Sequence, residues 1–525
     1  MKSAYGPAEA IELSGLPAGT ERIRAEDALG AAFEAAAAAG AARIAALAPA
    51  TYRVVALSGE RVLARETATV EAYPGASPVP AFATSTLSLE AAAATAAFTR
   101  RLRATVVQVY DWMASYSEPM PRADDYQDPL GRRLSLAALR ALNAAVRSQG
   151  AVPEAYAPVY GADPPRAESL PELRLYGPDG SPQHLADLVA VMHPGLPAWI
   201  ERWLAAWGPA RDLGFTGFHL DTYGYPHAAA DAEGRPVDMP EAFARFVAAV
   251  RRALPDFLLT FNQVNTHPAG LAVPAPPSAR YVEVWPPNDA WRHLEGVLAR
   301  AGARPDHATV LAIYPTVWEA GAPRADALRT ACLTEAVVTA LGADTLIWGD
   351  DQGVLCDPYY PRHAVLEAAE TEEALTWHRF GLGVRDLFRR GRDTSWEDLG
   401  GVNRAVLVAT AAPVAPEPLG GHLFGRVRRG RGWVAVSLLD LTGSVRGLWT
   451  EPTAAGRVQR LTLAIALPQP ERWRAAVARL GSADGAFRPE PLRTVPHDEG
   501  SALAVDLTDF RGWAVVRLCT DEAAW

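Results

Sequence analysis

The sequence has few cysteines and no long hydrophobic run. Cys332, Cys356 and Cys519 are an odd, widely spaced set, which excludes a disulfide framework and offers no metal-ligand spacing. No run reaches the roughly 18 apolar residues that a membrane-spanning helix needs. Residues 1–7 lack the apolar segment of a signal peptide. We therefore expect no metal, cofactor or membrane partner, and a cytoplasmic protein, or a secreted one if a leader has been removed.

Positive charge is also in deficit. Fifty Lys and Arg residues face 60 Asp and Glu residues, which gives a formal net charge of −10. This balance argues against a nucleic-acid partner and suits a neutral substrate. A hydrophobic share of 49% and a charged share of 21% are typical of a globular protein, and the length of 525 residues predicts two or three domains. The oligomeric state is not indicated.

The two ends of the chain are rich in strand-like patterns. Residues 52–57 and 68–73 alternate around a predicted hairpin turn at 58–61, so residues 1–85 are predicted to form an immunoglobulin-like β-sandwich. Within this region the Ala-rich stretch 31–50 is a helix candidate, and 75–80 resembles a linker. Residues 399–525 predict an antiparallel β-sandwich, with a small helix at 471–480.

Between residues 86 and 398 strand-like and helix-like patterns alternate. The eight strand candidates are 104–110, 152–159, 187–193, 214–221, 257–264, 281–285, 309–315 and 344–349. The best helix candidates between them are 197–207, 242–254, 290–301 and 325–341. Eight alternations of this kind predict a central (β/α)₈ TIM barrel, flanked by the two β-sandwich domains.

Two of the strand candidates carry a carboxylate near their end. Asp221 closes the run 214–221, and Glu283 lies in the run 281–285, just before two prolines. In a parallel barrel the carboxyl ends of the strands form the mouth where the chemistry occurs. Glycosidic cleavage needs one ionised and one protonated carboxyl group. We therefore predict a glycoside hydrolase in which Asp221 is the nucleophile and Glu283 the acid/base.

The other strand ends collect aromatic and polar residues that a purely apolar core would not need. A sugar offers apolar faces to aromatic rings and hydroxyl groups to fixed hydrogen-bonding partners. The predicted substrate-binding residues are Tyr110, Asp111, Trp112, Tyr160, His193, His219, Asn262, Trp285, Asp289, Tyr314, Trp348 and Asp350.

These residues also have structural interpretations, which the sequence leaves open. Asp221 is compatible with capping the next turn, and Glu283 with a buried ion pair. Asp289 precedes a predicted helix and suits an N-cap. Trp348 is compatible with closing the top of the barrel, and Asp350 with a weak cation site.

Three blocks of sequence follow one another across the predicted barrel. They are QVYDWM at 108–113 with YQDPLGR at 126–132, GFHLDTYG at 217–224 with FNQVN at 261–265, and YVEVW at 281–285. Together, and in this order, they resemble glycoside hydrolase family 66, the dextranases and cycloisomaltooligosaccharide glucanotransferases. The resemblance implies Asp221 as the nucleophile and Glu283 as the acid/base, and β-sandwich domains on both sides of the barrel.

The resemblance also implies a reaction. It is that of a retaining, dextranase-like endo-1,6-α-glucosidase, which cleaves dextran or isomaltooligosaccharides through a covalent glycosyl-enzyme. The glucanotransferases of the family carry an inserted carbohydrate-binding module, for which the predicted barrel is too short, and this favours hydrolysis. Two alternatives stay open, a glucanotransferase (transglycosylase or cyclising) on the same substrates and a non-catalytic glucan-binding protein on a decayed barrel.

Overall fold

The computed structural model describes residues 1–84, 88–268, 279–302, 308–401, 404–481, 486–497 and 500–523. Along the chain, a β-rich N-terminal part, an α/β central part and a β-rich C-terminal part follow one another. In these ranges no helix has the length and hydropathy required to cross a membrane.

The N-terminal part contains a mostly antiparallel sheet of five strands. In spatial order these strands are Ala4–Tyr5, Arg61–Val70, Ala50–Ser58, Arg22–Glu26 and Ala32–Ala36, and a separate pair is formed by Ile11–Ser14 and Ala41–Ile44. The hairpin predicted at residues 58–61 is confirmed. The helix predicted at 31–50 is wrong, because a left-handed turn at Ala39 and Gly40 breaks the stretch. On either side of this turn, Ala32–Ala36 pairs with the strand Arg22–Glu26 and Ala41–Ile44 pairs with the strand Ile11–Ser14. The sandwich arrangement of this part stays a prediction.

The central part is built on parallel strands that follow the chain order around the sheet. The barrel strands, numbered 1 to 8 below, are Pro80–Ala83, Val106–Val109, Val152–Pro158, Gly217–Asp221, Leu258–Asn262, Ala279–Glu283, Thr309–Ala312 and Asp344–Leu346. One residue after strand 8, the segment Trp348–Gly349 pairs through Gly349 with Phe82 in strand 1. The sheet thus curls back onto its first strand, and the predicted (β/α)₈ architecture is confirmed.

Two assignments within this sheet differ from the sequence prediction. Strand 1, Pro80–Ala83, lies in what was predicted to be the linker and the end of the N-terminal domain. The predicted barrel strand at 187–193 is wrong, because Val189–Val191 pairs antiparallel with Gly161–Ala162 and His184–Leu185 in a small separate sheet. A short apolar run does not reveal whether its partner is the barrel or a local hairpin.

Helices cover the outside of the barrel. They are Leu89–Arg101, Leu136–Ser148, Pro164–Glu168, Pro197–Trp207, Met239–Ala253, Leu294–Arg300, Arg324–Ala340 and Ala368–Arg389. The predicted start of the helix near residue 238 is confirmed, since the Asp238 carboxylate accepts the Glu241 backbone N–H at 3.0 Å. The helix Arg324–Ala340 is buried along nearly its whole length, between the barrel and the C-terminal part.

The C-terminal part contains two sheets. The first holds Arg392–Asp393, Val414–Ala415, Leu423–Gly430, Trp433–Asp440, Arg474–Arg479, Arg488–Glu490 and Trp513–Cys519; the second holds Val406–Ala409, Leu461–Ala466, Arg493–His497 and Gly500–Leu507. One apolar cluster contains residues of both sheets, among them Val436 and Leu463. The predicted helix at 471–480 is wrong, because most of it is the strand Arg474–Arg479. The sandwich arrangement of this part also stays a prediction.

A buried arginine ties the N-terminal sheet to the barrel. Arg385, on the helix Ala368–Arg389, is 2% exposed and donates to the Thr51 and Thr69 hydroxyls and to the Pro78 carbonyl. Its guanidinium also lies 3.4 Å from the Asp344 carboxylate at the start of barrel strand 8. These contacts fix the N-terminal part against the end of the barrel opposite to the mouth.

Candidate active site

Three neighbouring barrel strands each end in a polar residue. Strands 4, 5 and 6 end at Asp221, Asn262 and Glu283. The register of the parallel pairs brings Asp221 level with Asn262, and it brings Asn262 level with Tyr281, two residues before Glu283. Side chains two residues apart on a strand share a face, so the last residue of each strand lies above the one two positions earlier. The three polar side chains therefore meet at the mouth of the barrel.

Asn262 bridges the two carboxylates. Its Nδ2 donates to Asp221 Oδ1 at 2.7 Å and to Glu283 Oε2 at 3.1 Å, while its Oδ1 accepts the Glu283 backbone N–H at 3.2 Å. This third bond fixes which end of the amide faces the carboxylates. Because both bonds are donated by one nitrogen, the distance between Asp221 Oδ1 and Glu283 Oε2 cannot exceed the sum of the two bond lengths. That limit agrees with the roughly 5–5.5 Å between carboxyls in retaining glycosidases.

Each carboxylate also accepts a bond from its own tyrosine. The Tyr156 hydroxyl, on strand 3, donates to Asp221 Oδ2 at 2.8 Å. The Tyr314 hydroxyl, just after strand 7, donates to Glu283 Oε1 at 2.5 Å. Both rings are buried, so their rotation is restricted and the two carboxylates are held in place from opposite sides.

The pKa values of both carboxyl groups are raised by their surroundings. Burial raises the pKa of Glu283. Burial also raises the pKa of Asp221, and the nearby charge of Glu283 raises it further. Two carboxyls this close titrate as a pair, so one proton stays between them up to a pH above the ordinary carboxyl range. The pair can thus present one ionised and one protonated group, which is what acid-assisted displacement at a sugar carbon requires.

His219 lies directly below the pair and is neutral. Its ring packs edge-on against Tyr281, with centroids 4.5 Å apart, and parallel to Tyr156 at 6.2 Å. Burial lowers the pKa of this histidine to about 3. Its Nε2 is 4.0 Å from Asp221 Oδ1, which is beyond hydrogen-bonding distance. The predicted substrate-binding residue is therefore part of the floor on which Asp221 rests.

A cavity of about 530 Å³ opens above the carboxylates. Its size lies within the 300–1,000 Å³ range of small-molecule sites. The lining residues are Tyr110, Asp111, Tyr116, Leu130, Tyr156, Leu185, Leu188, Val189, Asp221, Thr222, Tyr223, Val264, Glu283, Trp285 and Pro358. Among the predicted substrate-binding residues Tyr110, Asp111 and Trp285 lie in this lining, while Asn262 and Tyr314 hold the carboxylates from behind.

Asp111 is a third acid in the same cavity. Its side chain is 3% exposed and its backbone has a left-handed φ of 45°, which an Asp tolerates better than most residues. The backbone carbonyl accepts Arg132 Nη2 at 3.2 Å, which holds this turn. Burial raises the pKa of Asp111 to about 7. At neutral pH it can donate to, or accept from, a sugar hydroxyl.

Three predicted aromatic residues lie in the core and not in the cavity lining. Trp112 is fully buried against Trp207 and Phe215, and its indole N–H donates to the Tyr156 carbonyl at 3.1 Å. The Trp348 indole donates to Glu335 at 2.8 Å, and the Tyr160 hydroxyl donates to the Tyr225 carbonyl at 2.7 Å. None of these rings offers a face to a ligand, so the prediction that they bind substrate is corrected to a structural role.

Three polar predictions also lie outside the cavity. His193 Nδ1 accepts the Gly195 backbone N–H at 3.1 Å, and Asp289 pairs with His293 at 3.6 Å on the surface. Asp350 is fully buried, where it accepts the Thr84 hydroxyl and, at 2.9 Å, the Thr95 hydroxyl. Asp350 is therefore corrected to a structural role, whereas the predicted role of His193 and Asp289 in substrate binding stays a prediction.

Sequence reasoning missed several residues of the site. Tyr156 has a readable signal, since it lies two residues after Glu154 on the inward face of strand 3. Leu185 and Leu188 have no such signal, because they reach the cavity from the small sheet of His184–Leu185 and Val189–Val191, where the sequence predicted a barrel strand at 187–193. Over the described ranges no cluster of three or more His, Cys, Asp or Glu side chains is arranged to hold a metal ion.

Comparison with solved structures gives the fold. The chain superposes on a cycloisomaltooligosaccharide glucanotransferase of Paenibacillus sp., complexed with cycloisomaltoheptaose, with a TM-score of 0.80 at 14% identity, covering 98% of each chain. It also superposes on an α-amylase from Geobacillus thermoleovorans, complexed with acarbose, with a TM-score of 0.52 at 11% identity, covering 86% of this chain and 99% of that one. These identities support a shared fold only.

Comparison of the sequence gives the family. A search of curated proteins returns no match. The family description "Glycosyl hydrolase family 66" matches residues 66–477, which include all eight barrel strands and both carboxylates. Because the match extends over most of the 525 residues, the chain belongs to glycosyl hydrolase family 66 and is an enzyme of the glycosidase type.

Proposed function

We propose that the protein is a retaining glycoside hydrolase that uses Asp221 and Glu283. The observation that carries this proposal is the Asn262 amide, which donates to both carboxylates and so limits their separation. An inverting enzyme needs about 6.5–9.5 Å between its carboxyls, to admit a water molecule between sugar and base. Bonds of 2.7 and 3.1 Å that start at one nitrogen leave no such space between the two bonded oxygens.

The position of each carboxylate supports its role. Asp221 is buried at the floor of the cavity, whereas Glu283 is half-buried beside Trp285 and nearer the opening. We assign Asp221 to attack the anomeric carbon and Glu283 to donate its proton to the leaving oxygen. In the second step Glu283 accepts a proton from water as the water oxygen replaces Asp221 on the sugar.

We infer that the substrate is an α-glucan with α-1,6-glucosidic bonds, such as dextran or isomaltooligosaccharides. The family and the likeness to a glucanotransferase complexed with cycloisomaltoheptaose support this substrate class. Tyr110 and Trp285 line the cavity as aromatic surfaces for sugar rings, and Asp111 supplies a hydrogen-bonding group. The net charge of −10 also suits a neutral ligand.

Glucan transfer is the second candidate function. The superposed glucanotransferase has 98% of its own chain covered, so the sequence argument that a missing inserted module favours hydrolysis loses its basis. Transfer uses the same covalent intermediate, with a sugar hydroxyl in place of water. Products longer than the isomaltooligosaccharide supplied would establish transfer, and products that are only shorter would exclude it.

The test of the proposal uses one isosteric variant of each carboxylate. Asp221→Asn and Glu283→Gln should each lower turnover of isomaltooligosaccharides by about 10²–10⁴ or more. Glu283→Gln should retain more activity on aryl glucosides, because a good leaving group needs less protonation. The exposed acids Asp212 and Glu201 on the outer helical layer give matched Asn and Gln controls. Binding of glucan without turnover by the unaltered protein would contradict the proposal and support a decayed barrel.

A further inference from the structure

Three buried tyrosines pack beside Glu283 in the part of the barrel formed by strands 6 to 8. Tyr281 lies in strand 6, two residues before Glu283, and Tyr314 lies two residues after strand 7. Tyr360 begins the short helical turn Tyr360–Arg362 that follows strand 8. All three side chains are buried and belong to one apolar cluster. Because they come from three segments, the fold and not one local sequence brings them together.

Their hydroxyl groups are connected to one another and to the proposed acid/base. The Tyr281 and Tyr360 hydroxyls lie 3.0 Å apart. The Tyr360 hydroxyl is also hydrogen-bonded to Tyr314, and the Tyr314 hydroxyl contacts Glu283 Oε1 at 2.5 Å. The three hydroxyls therefore form a continuous series of hydrogen bonds, called the tyrosine chain below, which ends on the carboxylate.

The direction of each bond in the tyrosine chain follows from the number of hydrogens. A phenol has one hydrogen to donate, and burial raises the pKa of all three tyrosines, so each keeps its hydrogen. Tyr314 donates to Glu283, because a bond to a charged acceptor is stronger than a bond to a neutral hydroxyl. Tyr360 must then donate to Tyr314, and Tyr281 to Tyr360. While Glu283 is ionised, all three hydrogens thus point toward it.

This order determines which oxygen of Glu283 carries the proton when the group is protonated. A proton on Oε1 would require Tyr314 to turn its hydrogen to Tyr360, and Tyr360 to turn its own to Tyr281. The Tyr281 hydrogen would then lose its acceptor inside the apolar cluster, which is costly for a buried donor. The other oxygen, Oε2, accepts the Asn262 amide at 3.1 Å and is free of this constraint. The proton therefore lies on Oε2.

We propose that Tyr360 is a positioning residue for the acid/base: through Tyr314 it keeps Glu283 Oε1 an acceptor and directs the transferable proton to Oε2. The inference rests on the function proposed above. In the first step the proton leaves Oε2 for the leaving oxygen, as the anomeric C–O bond breaks and Asp221 bonds to the carbon. The tyrosine chain then stabilises the ionised carboxylate. In the second step Oε2 takes a proton from the attacking water.

The ring of Tyr360 has a separate contact, which the test leaves intact. It stacks on the cavity-lining residue Tyr110, with centroids 4.3 Å apart and an angle of 13° between the planes. Tyr360→Phe keeps this stack and removes only the hydroxyl. Tyr359→Phe is the matched control, because it makes the same change at the neighbouring, partly exposed residue, which has no place in the tyrosine chain.

The groups that face Glu283 limit what the variants change. The titratable ones come from strands 4 and 6, from the segment after strand 7 and from the turn after strand 8: Asp221, Tyr281, Tyr314 and Tyr360. The neutral His219 ring packs against Tyr281. Every variant of the tyrosine chain leaves Asp221 and its bond from Tyr156 unaltered.

The expected sign follows from the direction of the tyrosine chain. A donor to the Tyr314 oxygen polarises its hydroxyl and strengthens its bond to Glu283, by about 10–30%. Loss of a hydrogen bond to a charged group displaces a pKa by about one to two pH units. Tyr360→Phe should therefore raise the pKa of Glu283 by about 0.1–0.6 pH unit. In the opposite order the same change would free the Tyr314 hydrogen for Glu283, and the pKa would fall.

Two measurements on the full-length protein test this. Carbon-13 NMR of protein labelled at the glutamate carboxyl carbon follows the titration of Glu283, whose signal is the one absent from Glu283→Gln. The pH dependence of kcat/KM on isomaltotriose reports the same group in catalysis. At a fixed pH on the alkaline limb, Tyr360→Phe should give a rate about 1.3- to 4-fold higher relative to its plateau.

A series of variants identifies the route. Upward displacement should be largest for Tyr314→Phe, smaller for Tyr360→Phe and smallest for Tyr281→Phe. Tyr360→Phe added to Tyr314→Phe should displace the titration no further, because the bond through which it acts is already absent. A lowered pKa, a displacement no larger than that of Tyr359→Phe, or full additivity in the double variant overturns the inference.

The two measurements separate failure of this inference from failure of the proposed function. If isomaltotriose is cleaved and Tyr360→Phe displaces neither the NMR titration nor the alkaline limb, the inference fails and the proposed function stands. If isomaltotriose is not cleaved but Tyr360→Phe raises the pKa of Glu283, the proposed function fails and the connection between Tyr360 and Glu283 stands.

Discussion

The two tyrosines that hold the carboxylates offer a direct test of which carboxylate does what. Tyr314→Phe removes the hydroxyl that donates to Glu283 at 2.5 Å, and Tyr156→Phe removes the one that donates to Asp221 at 2.8 Å. Both changes keep the buried ring and its packing. Each therefore removes the tyrosine hydrogen bond from one carboxylate, and Tyr314→Phe also removes a hydrogen bond between its hydroxyl and Tyr360.

The sign of the effect follows from the direction of the bond. A hydroxyl that donates to a carboxylate stabilises its ionised form, so removing the hydroxyl raises the pKa of that carboxyl. A hydrogen bond to a charged group contributes about 1.5–3 kcal/mol, which corresponds to a displacement of a pH limb by about one to two pH units. If Glu283 is the acid, Tyr314→Phe keeps it protonated to higher pH and moves the alkaline limb upward. If Asp221 is the nucleophile, Tyr156→Phe moves the acidic limb upward.

The assay is the pH dependence of kcat/KM on an isomaltooligosaccharide, which reports the essential groups of the free enzyme. The control is Tyr52→Phe, in the N-terminal part, whose hydroxyl donates to the Ala48 carbonyl. It should leave both limbs in place. Displacement of the acidic limb by Tyr314→Phe would show that the two carboxylates have the opposite roles. Unchanged limbs in both variants would refute the proposed catalytic pair.

Two further predictions concern the frame around the site. The His378 ring contacts Glu335 Oε1 at 2.6 Å and the Leu102 carbonyl at 2.7 Å. His378→Phe leaves Glu335 Oε1 buried without this contact, while the Trp348 indole still donates to the other oxygen, and should cost about 1–3 kcal/mol in urea unfolding. At the seam of the barrel, a Cβ on Gly349 would lie 2.2 Å from a backbone oxygen of Phe82, so Gly349→Ala should lower the thermal midpoint. Gly208→Ala serves as the comparison without a clash, because Gly208 has open space and a right-handed helical backbone.

Much of the barrel could be predicted from the sequence because its strands are apolar runs that end in turn residues. Strands 2 to 5, 7 and 8 fall within predicted segments, strand 6 overlaps one, and Asp221 and Glu283 fall at or near the predicted strand ends. Strand 1 was missed because Pro80–Ala83 is short and begins with a proline, which favours a linker interpretation. Tertiary pairing decided that case, as it did for the Ala-rich stretch 31–50, where helix propensity was overridden.

The site itself was only partly predictable, for a geometric reason. Position at a strand end identifies Asp221, Asn262 and Glu283, because parallel strands bring their ends together. It does not tell whether a side chain turns inward or into the helical layer, so Trp112 and Trp348 were assigned to the substrate although both lie in the core. Side chains that reach the site from segments outside the barrel strands give no periodic pattern in the sequence.

Glu154, a buried acid below the active site, should make the stability of the barrel depend on pH. Glu154 lies in barrel strand 3, is 2% exposed, and accepts the Thr260 hydroxyl at 2.6 Å. Burial raises its pKa to about 8, against 4.5 for an unburied Glu, so it is protonated in the folded protein at neutral pH and ionised in the unfolded chain. Unfolding then releases a proton, and stability must fall as pH rises from about 4.5 to 8.

Glu154→Gln removes this dependence, since an amide keeps the acceptor for Thr260 and has no proton to release. Above pH 7 the variant should be more stable than the unaltered protein by about 2–4 kcal/mol, and the difference should shrink toward zero near pH 4. Urea unfolding at a series of pH values measures both, with Glu201→Gln as the exposed control. A difference that stays constant with pH would mean that Glu154 does not change protonation on unfolding, and a variant less stable at every pH would mean that its carboxyl makes a favourable contact in the barrel.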